Sequence, residues 1–264
     1  MSKLIVLLTD FGRSDFYVGM MKGVIKELSP GAEIIDLYHN IEPQNIGQAA
    51  FLLANSYKYF PLETIFVTVV DPGVGTERKG IIVKADGRYF LGPDNGFMAF
   101  ILQDIEAQEA IEIHPLIFSE AESSTFHGRD VFSRIAAQIQ LGYDICLIGR
   151  SLKPTDIVEF TDLQLVLSPK YIKEAEIVLI DNFGNLITNV HKSALRKNME
   201  SVFSIRIEFG GIIINDIKKT FADAHTGDFL AYIGSMDYLE IAQNCGNAAK
   251  VTGAKTGDKI SIYL

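Results

Sequence analysis

The sequence predicts an α/β domain with a mostly parallel central sheet, followed by a small antiparallel β domain built as a sandwich or barrel. Three observations predict it. The first half alternates strand and helix patterns, residues 151–170 lose helical periodicity around Pro154 and Pro169, and short β-rich segments separated by Gly, Asn and Asp follow. The boundaries fall at 1–160 and 171–264, with 161–170 as the linker.

The first unit is strand, turn and helix. Leu4–Leu8 is apolar, Thr9-Asp10-Phe11-Gly12 turns, and a helix begins near Ser14 or Asp15 with Tyr17, Met20, Met21, Val24 and Leu28 as its apolar stripe. Ser29-Pro30-Gly31 stops it. A second strand, Glu33–Leu37, precedes a helix from about Asn45 to Tyr59 with Ile46, Ala49, Ala50, Leu53 and Tyr57 inward. The third strand, Ile65–Val70, leads into Asp71-Pro72-Gly73-Val74-Gly75-Thr76-Glu77-Arg78. Two βαβ units in succession imply parallel strands covered by helices. A hairpin then spans Gly80–Val83 and Tyr89–Leu91 across Asp86-Gly87, a strong two-residue turn signal. Gly92–Gly96 reads as a loop, Ala110–Ile113 as a strand, and Val131, Phe132, Ile135, Ala136, Ile139 and Leu141 as the stripe of a further helix.

Beyond the linker, strands are expected at Glu176–Ile180, Leu186–Asn189, Val202–Glu208, Ile212–Ile214, Phe229–Ile233, Leu239–Ala242 and Lys259–Tyr263. The second domain therefore reads as all-β.

Composition narrows the function. With 48% hydrophobic residues in 264, the chain can bury real cores, and no apolar run reaches the roughly 18 residues of a membrane span. Met1–Leu8 runs into Thr9-Asp10 without a cleavage site, so the protein is expected in the cytoplasm. A net charge of −9 argues against nucleic acid as the partner, because phosphate binding needs a basic face. Cys146 and Cys245 lie far apart among apolar or small residues, which favours reduced, buried or inert thiols over a disulfide. Histidines at 39, 114, 127, 191 and 225 show no ligand spacing, so no metal site is expected.

Chemistry concentrates where strands end. Asp71 closes a buried strand, Pro72, Gly73 and Gly75 force a turn that brings backbone N–H groups close to a ligand, and Arg78 arrives on its far side. Asp10 ends strand one in the same way; it reads equally as a capping or turn aspartate and as a ligand contact. His127 lies in a polar glycine-containing loop before a helix, compatible with a structural hydrogen bonder or a catalyst. Asp181-Asn182-Phe183-Gly184-Asn185 is either a hairpin loop or an aromatic and amide cradle for a purine, and Tyr232–Tyr238 is a second such loop.

Six stretches, taken together and in order, carry a resemblance: Leu8–Gly12, Tyr17–Gly23, Val70–Arg78, Gly92–Gly96, Thr125–Asp130 and Asp181–Asn185. They resemble the S-adenosylmethionine hydroxide adenosyltransferase family, adenosyl-forming hydrolases related to fluorinases and chlorinases. The resemblance implies an α/β N-terminal domain, a β-barrel-like C-terminal domain and a homotrimer with each site between neighbouring subunits. It implies attack of water or hydroxide on the ribose 5′ carbon, releasing adenosine and L-methionine without a cofactor. Asp71, Arg78 and His127 take the catalytic positions. Asp10 is implied to hold the ribose hydroxyls, Asp181 the methionine amino group, and Phe183, Asn185 and Ser235 the adenosine and neighbouring atoms. Met236 departs from the arginine that halogenases carry near the methionine carboxylate. Halogenating relatives lack the matching Asp and His, so Asp71 and His127 favour hydrolysis over halide transfer. Two further readings fit the residues: a non-catalytic S-adenosylmethionine or adenosine sensor, and a metal-dependent phosphohydrolase built on Asp10, Asp71, Asp94 and His127.

Overall fold

The computed structural model describes residues 3–119, 121–159, 175–199 and 205–263. The chain divides into two compact units, Met1–Phe160 and Thr161–Leu264. The predicted linker at 161–170 lies outside the described residues.

The first unit holds strands β1 (Ile5–Thr9), β2 (Ile34–Tyr38), β3 (Ile65–Val69), β4 (Gly80–Ala85), β5 (Arg88–Pro93), β6 (Ala107–Ile113) and β7 (Gly149–Ser151). They form one sheet in the order β2-β1-β3-β5-β4-β6-β7. β1 runs parallel to β2 and β3, and β3 parallel to β5, whereas β4 pairs antiparallel with β5 and β6, and β6 with β7. The sheet is mixed, which corrects the mostly parallel expectation. The reason is the hairpin: Asp86 (φ 46°) and Gly87 (φ 68°) reverse the chain in two residues, so no crossover helix restores the parallel direction.

Helices α1 (Tyr17–Leu28), α2 (Ile46–Ser56), α3 (Ala99–Asp104), α4 (Pro115–Ser119) and α5 (Ser133–Gln140) complete the unit. Alternate β1 side chains enter two cores, Ile5 and Leu7 with Met21, Ile25 and Ile135, and Val6 and Leu8 with Ala49, Leu53 and Phe66. Burial on both faces explains the unbroken apolar run in the sequence. The phase of α1 differs from the expected stripe. Val18, Met21 and Ile25 are buried, while Tyr17 and Met20 remain 39% and 41% exposed, because Tyr17 turns into an aromatic cluster with Phe11 and Phe126. Residues 151–159 are not linker: Ser151 ends β7, and Leu152 and Ile157 are buried in the second of the two cores.

The second unit contains β8 (Ala175–Ile180), β9 (Leu186–His191), β10 (Arg206–Phe209), β11 (Ile212–Ile214), β12 (Ile217–Lys218), β13 (Phe229–Ile233), β14 (Tyr238–Gln243) and β15 (Lys259–Tyr263). Their order is β11-β10-β15-β8-β9-β14-β13-β12, antiparallel except for the β12–β13 pair. β11 touches β13 near the opposite end of that order, so the sheet curls around a core that includes Ile177, Leu186, Ile241 and Ile260. The all-β expectation is corrected by α6 (Lys192–Met199) and α7 (Ala248–Thr252), which bring Ala194, Leu195 and Ala248 into that core. Both are too short to print a clear helical period. The expected strand at 202–208 begins outside the described residues and is observed as β10.

Both cysteines are free, as expected over a disulfide, but exposed, which corrects the alternative of burial. Each sits on a tight turn. Cys146 donates to Glu109 Oε1 at 2.8 Å, and that contact pushes its pKa up to about 11, away from thiolate reactivity. Among the described residues no helix is long and apolar enough to cross a membrane.

Candidate functional site

The register Thr9↔Val69 between parallel β1 and β3 brings Asp10 and Asp71 to neighbouring carboxyl ends of the sheet. After Val70 the chain turns, with Val74 N–H donating to Asp71 O (3.2 Å) and Thr76 N–H to Gly73 O (3.1 Å). Gly75 is required here: its φ is +78°, and a Cβ would lie 2.9 Å from the Ser124 carbonyl. Asn95 Nδ2 donates to Val70 O at 2.8 Å and pins the residue before Asp71.

Arg78 returns across the turn onto Asp71. Its Nε donates to both carboxylate oxygens at 2.9 and 3.1 Å, and its Nη2 donates to Oδ2. The same Nη2 lies 2.8 Å from His127 Nδ1. Phe118 and Phe132 rings lie 5.3 and 5.5 Å from the guanidinium carbon, and only 11% and 6% of the Arg78 and Asp71 side chains is exposed. The structure thus brings together the three residues singled out as catalytic.

His127 precedes a π-helical turn, Gly128–Phe132, in which Ser133 N–H reaches back to Gly128 O. Such turns recur at functional sites. Arg78 has only donors, so Nδ1 must accept, and the neutral ring carries its proton on Nε2. Burial first, and the Arg78 charge second, hold the His127 pKa below its ordinary value of 6.5, against opposing pulls from Asp71 and Asp130. The sign follows: as pH falls from about 6.5, the unfolded chain takes up this proton before the folded chain does. Stability contributed by neutral His127 is full above 6.5 and declines toward the lower folded pKa. If protonation breaks the Arg78 contact, the acid limb of kcat/KM for a working enzyme falls below 6.5; a pH–rate profile with that limb above 6.5 would contradict the assignment.

Asp10 is half-buried, and desolvation raises its pKa, eased by the Gln44 N–H at 2.8 Å and reinforced by the Asp71 charge. It does not cap α1, whose N-cap is Phe16. Asp10, Phe11, Asp71, Phe126 and His127 border one cleft of about 380 Å³ in the first unit. Behind it, Thr9 Oγ1 lies 2.9 Å from buried His39 Nδ1 and accepts from Phe11 N–H (3.2 Å), while His39 Nε2 lies 3.1 Å from Asp36 Oδ1. This network fixes the Asp10 turn and was not singled out from sequence, since His39 shows no motif of its own. Asp94 is not in the cleft lining; its Oδ1 accepts Val158 N–H at 2.9 Å.

In the second unit, Asp181 organises its own hairpin. Oδ1 accepts the Phe183 and Asn185 N–H groups at 2.9 and 2.8 Å, and Oδ2 accepts Asn185 Nδ2 at 2.8 Å. Phe183 is 74% exposed, whereas Asn185 is buried. Asp181, Phe183, Asn185, Tyr232, Ser235 and Glu240 share the lining of a cavity of about 710 Å³. Sequence reading missed Glu240, because Tyr238–Gln243 shows only strand alternation and nothing local marks an acid that faces a cavity.

Residues 5–149 match the family model described as the SAM hydroxide adenosyltransferase N-terminal domain, and residues 175–261 match that of the C-terminal domain. The chain belongs to the SAM hydroxide adenosyltransferase family. Proteins named (R)-S-adenosyl-L-methionine hydrolase from Methanocaldococcus jannaschii and Thermus thermophilus are each 34% identical to it. The matches cover 98% of this chain in both cases and 95% and 98% of those proteins. A fluorinase from Actinopolyspora mzabensis is 26% identical across 98% of this chain and 96% of its own. A crystal structure of an uncharacterized conserved protein from Thermotoga maritima superimposes with a TM-score of 0.86 at 35% identity, covering 99% of this chain and 100% of that one.

The Asp181 geometry sets a testable cost in this chain. Asp181→Ala strips three hydrogen bonds from the hairpin and is expected to lower stability by about 1–3 kcal/mol, read as a fall in Tm. Asp181→Asn keeps an oxygen for both backbone donors, so it separates the turn from any ligand contact. It is expected to weaken S-adenosylmethionine binding more than adenosine binding; equal losses would remove Asp181 from the amino-group contact.

Proposed function

We infer that the chain hydrolyses S-adenosyl-L-methionine to adenosine and L-methionine, water attacking the ribose 5′ carbon. The observation that carries this reading is the Arg78 guanidinium clamped between Asp71 and His127, two residues that border the same cleft as Asp10. The full-length likeness to proteins named as hydrolases supports it.

The chemistry fits these groups. A sulfonium leaves without a general acid, so catalysis rests on a positioned nucleophile in line with the carbon–sulfur bond, worth roughly 7–11 kcal/mol in well-aligned cases. Free water has a pKa near ~16, so hydroxide is not formed in advance; Arg78 stabilises it as it develops. His127 Nδ1 already accepts from Arg78 and its Nε2 carries hydrogen. Both Asp71 oxygens also accept from Arg78, but a carboxylate keeps further lone pairs where Nδ1 has only one, so Asp71 is assigned the proton, with His127 orienting Arg78 and the water. Asp10 holds ribose hydroxyls, and Asp181, Phe183, Asn185 and Ser235 receive the rest of the substrate.

The same reading makes the protein a cytoplasmic homotrimer without a resident cofactor or nucleic-acid partner, each first-unit cleft completed by the second-unit cavity of a neighbouring subunit. Light scattering tests the trimer, with three times the 29.2 kDa chain mass expected.

Incubation of the purified protein with S-adenosylmethionine, with and without chloride, and chromatography of the nucleoside tests the reaction. Adenosine in both, unchanged by chelator, is expected. A halogenated nucleoside appearing with chloride indicates halide transfer, and intact substrate indicates a sensor.

A further inference from the structure

We propose that Glu240 is a specificity-determining residue of the second-unit cavity, reading the ammonium group of the substrate's amino-acid arm. The proposal rests on S-adenosylmethionine as the ligand and extends it to a residue in the middle of a strand.

The cavity lining contains two carboxylates, Asp181 and Glu240, and no lysine, arginine or histidine. Asp181 accepts three hydrogen bonds from its own hairpin through both oxygens, so it shares in the ammonium contact with little acceptor capacity to spare. Glu240 is placed differently. It lies on β14 opposite Tyr232 of β13 and Ile187 of β9, both uncharged, and only 6% of it is exposed. Its Oε2 accepts the Tyr232 phenol. Oε1 packs so close to the β13–β14 turn that a Cβ on Gly234 would lie 1.8 Å from it, so the turn carries glycine where Glu240 points.

A carboxylate held mid-strand whose one hydrogen-bond donor among the described residues is a neutral phenol is an expensive arrangement. Burial raises its pKa and the Asp181 charge adds to that, against the Tyr232 hydrogen bond. A cation entering the cavity relieves both effects. Of the substrate's two cationic groups only the ammonium donates hydrogen bonds, and those suit the acceptor capacity that Tyr232 leaves on Glu240. Neutral adenosine offers no such charge.

The test compares the full-length chain with Glu240→Gln, which preserves shape and can still accept from Tyr232. Calorimetric Kd and kinetic KM are measured for S-adenosylmethionine, for the same sulfonium lacking its α-amino group, and for adenosine. Glu240→Gln is expected to weaken S-adenosylmethionine by at least about tenfold, with kcat within threefold and the other two ligands unchanged. Unchanged S-adenosylmethionine affinity, or an equal loss for the deaminated sulfonium or adenosine, overturns the proposal. Should Glu240→Gln not fold, Tyr232→Phe leaves the carboxylate without its phenol. Affinity for S-adenosylmethionine is then expected to be retained or tightened, and a loss shared with adenosine overturns the idea. Binding is read separately from turnover, so a wild-type chain that binds but leaves S-adenosylmethionine intact refutes hydrolysis without deciding Glu240.

Discussion

Arg78→Ala is expected to lower the rate of adenosine release by at least about 10²-fold, the scale seen when a preorganised donor to a developing oxyanion is lost. The substitution acts twice. It removes the charge that stabilises attacking hydroxide, and it leaves the Asp71 carboxylate buried and unpaired, a loss of about 3–5 kcal/mol in stability. Arg78→Lys separates the two effects. A lysine restores positive charge beside Asp71 but lacks the planar fork that meets Asp71 through Nε and His127 through Nη2. Thermal stability should therefore recover further than turnover. Near-parental turnover in Arg78→Ala, measured at saturating S-adenosylmethionine, removes Arg78 from the mechanism.

The second large effect is expected at Asp71→Asn, a fall of about 10²- to 10⁴-fold in kcat with KM held within a few-fold. The amide keeps an oxygen for Arg78 but cannot take a proton. His127→Asn is expected to be milder, about tenfold, because an asparagine oxygen can stand where Nδ1 stands and accept the same Arg78 N–H. The ordering of the two variants carries the argument. Should His127→Asn be the more damaging under single-turnover conditions at pH 8, the proton goes to the histidine, and the tautomer derived from the Arg78 contact is wrong.

Legibility in the sequence depended on distance along the chain. Asp71 and Arg78 lie seven residues apart across a turn of proline and glycines, and their convergence could be read directly. The α1 stripe is legible only to within a step of phase, because Tyr17, Val18, Met20 and Met21 offer apolar side chains on adjoining faces, and periodicity fixes a period before a phase. The hairpin at Asp86-Gly87 is legible, but its effect on the sheet is not: whether β5 joins β3 parallel is decided by which strand the hairpin docks with. Cys245 and Glu240 illustrate the same limit. An apolar neighbourhood in sequence says little about a turn residue, and strand alternation says little about which polar side chains face a cavity.

The order of strands and turns, the acids placed at the ends of β1 and β3, and the set of groups available for chemistry are legible along the chain, because backbone preferences and turn geometry act over a few residues. How those groups pair follows from packing between distant segments. The Arg78–His127 contact joins positions 49 residues apart: the turn after β3 returns Arg78 onto Asp71, and the residue that precedes the π-helical turn sets its Nδ1 against the same guanidinium. That pairing, which no local pattern encodes, sets the His127 tautomer on which the proposed role of Asp71 as proton acceptor rests.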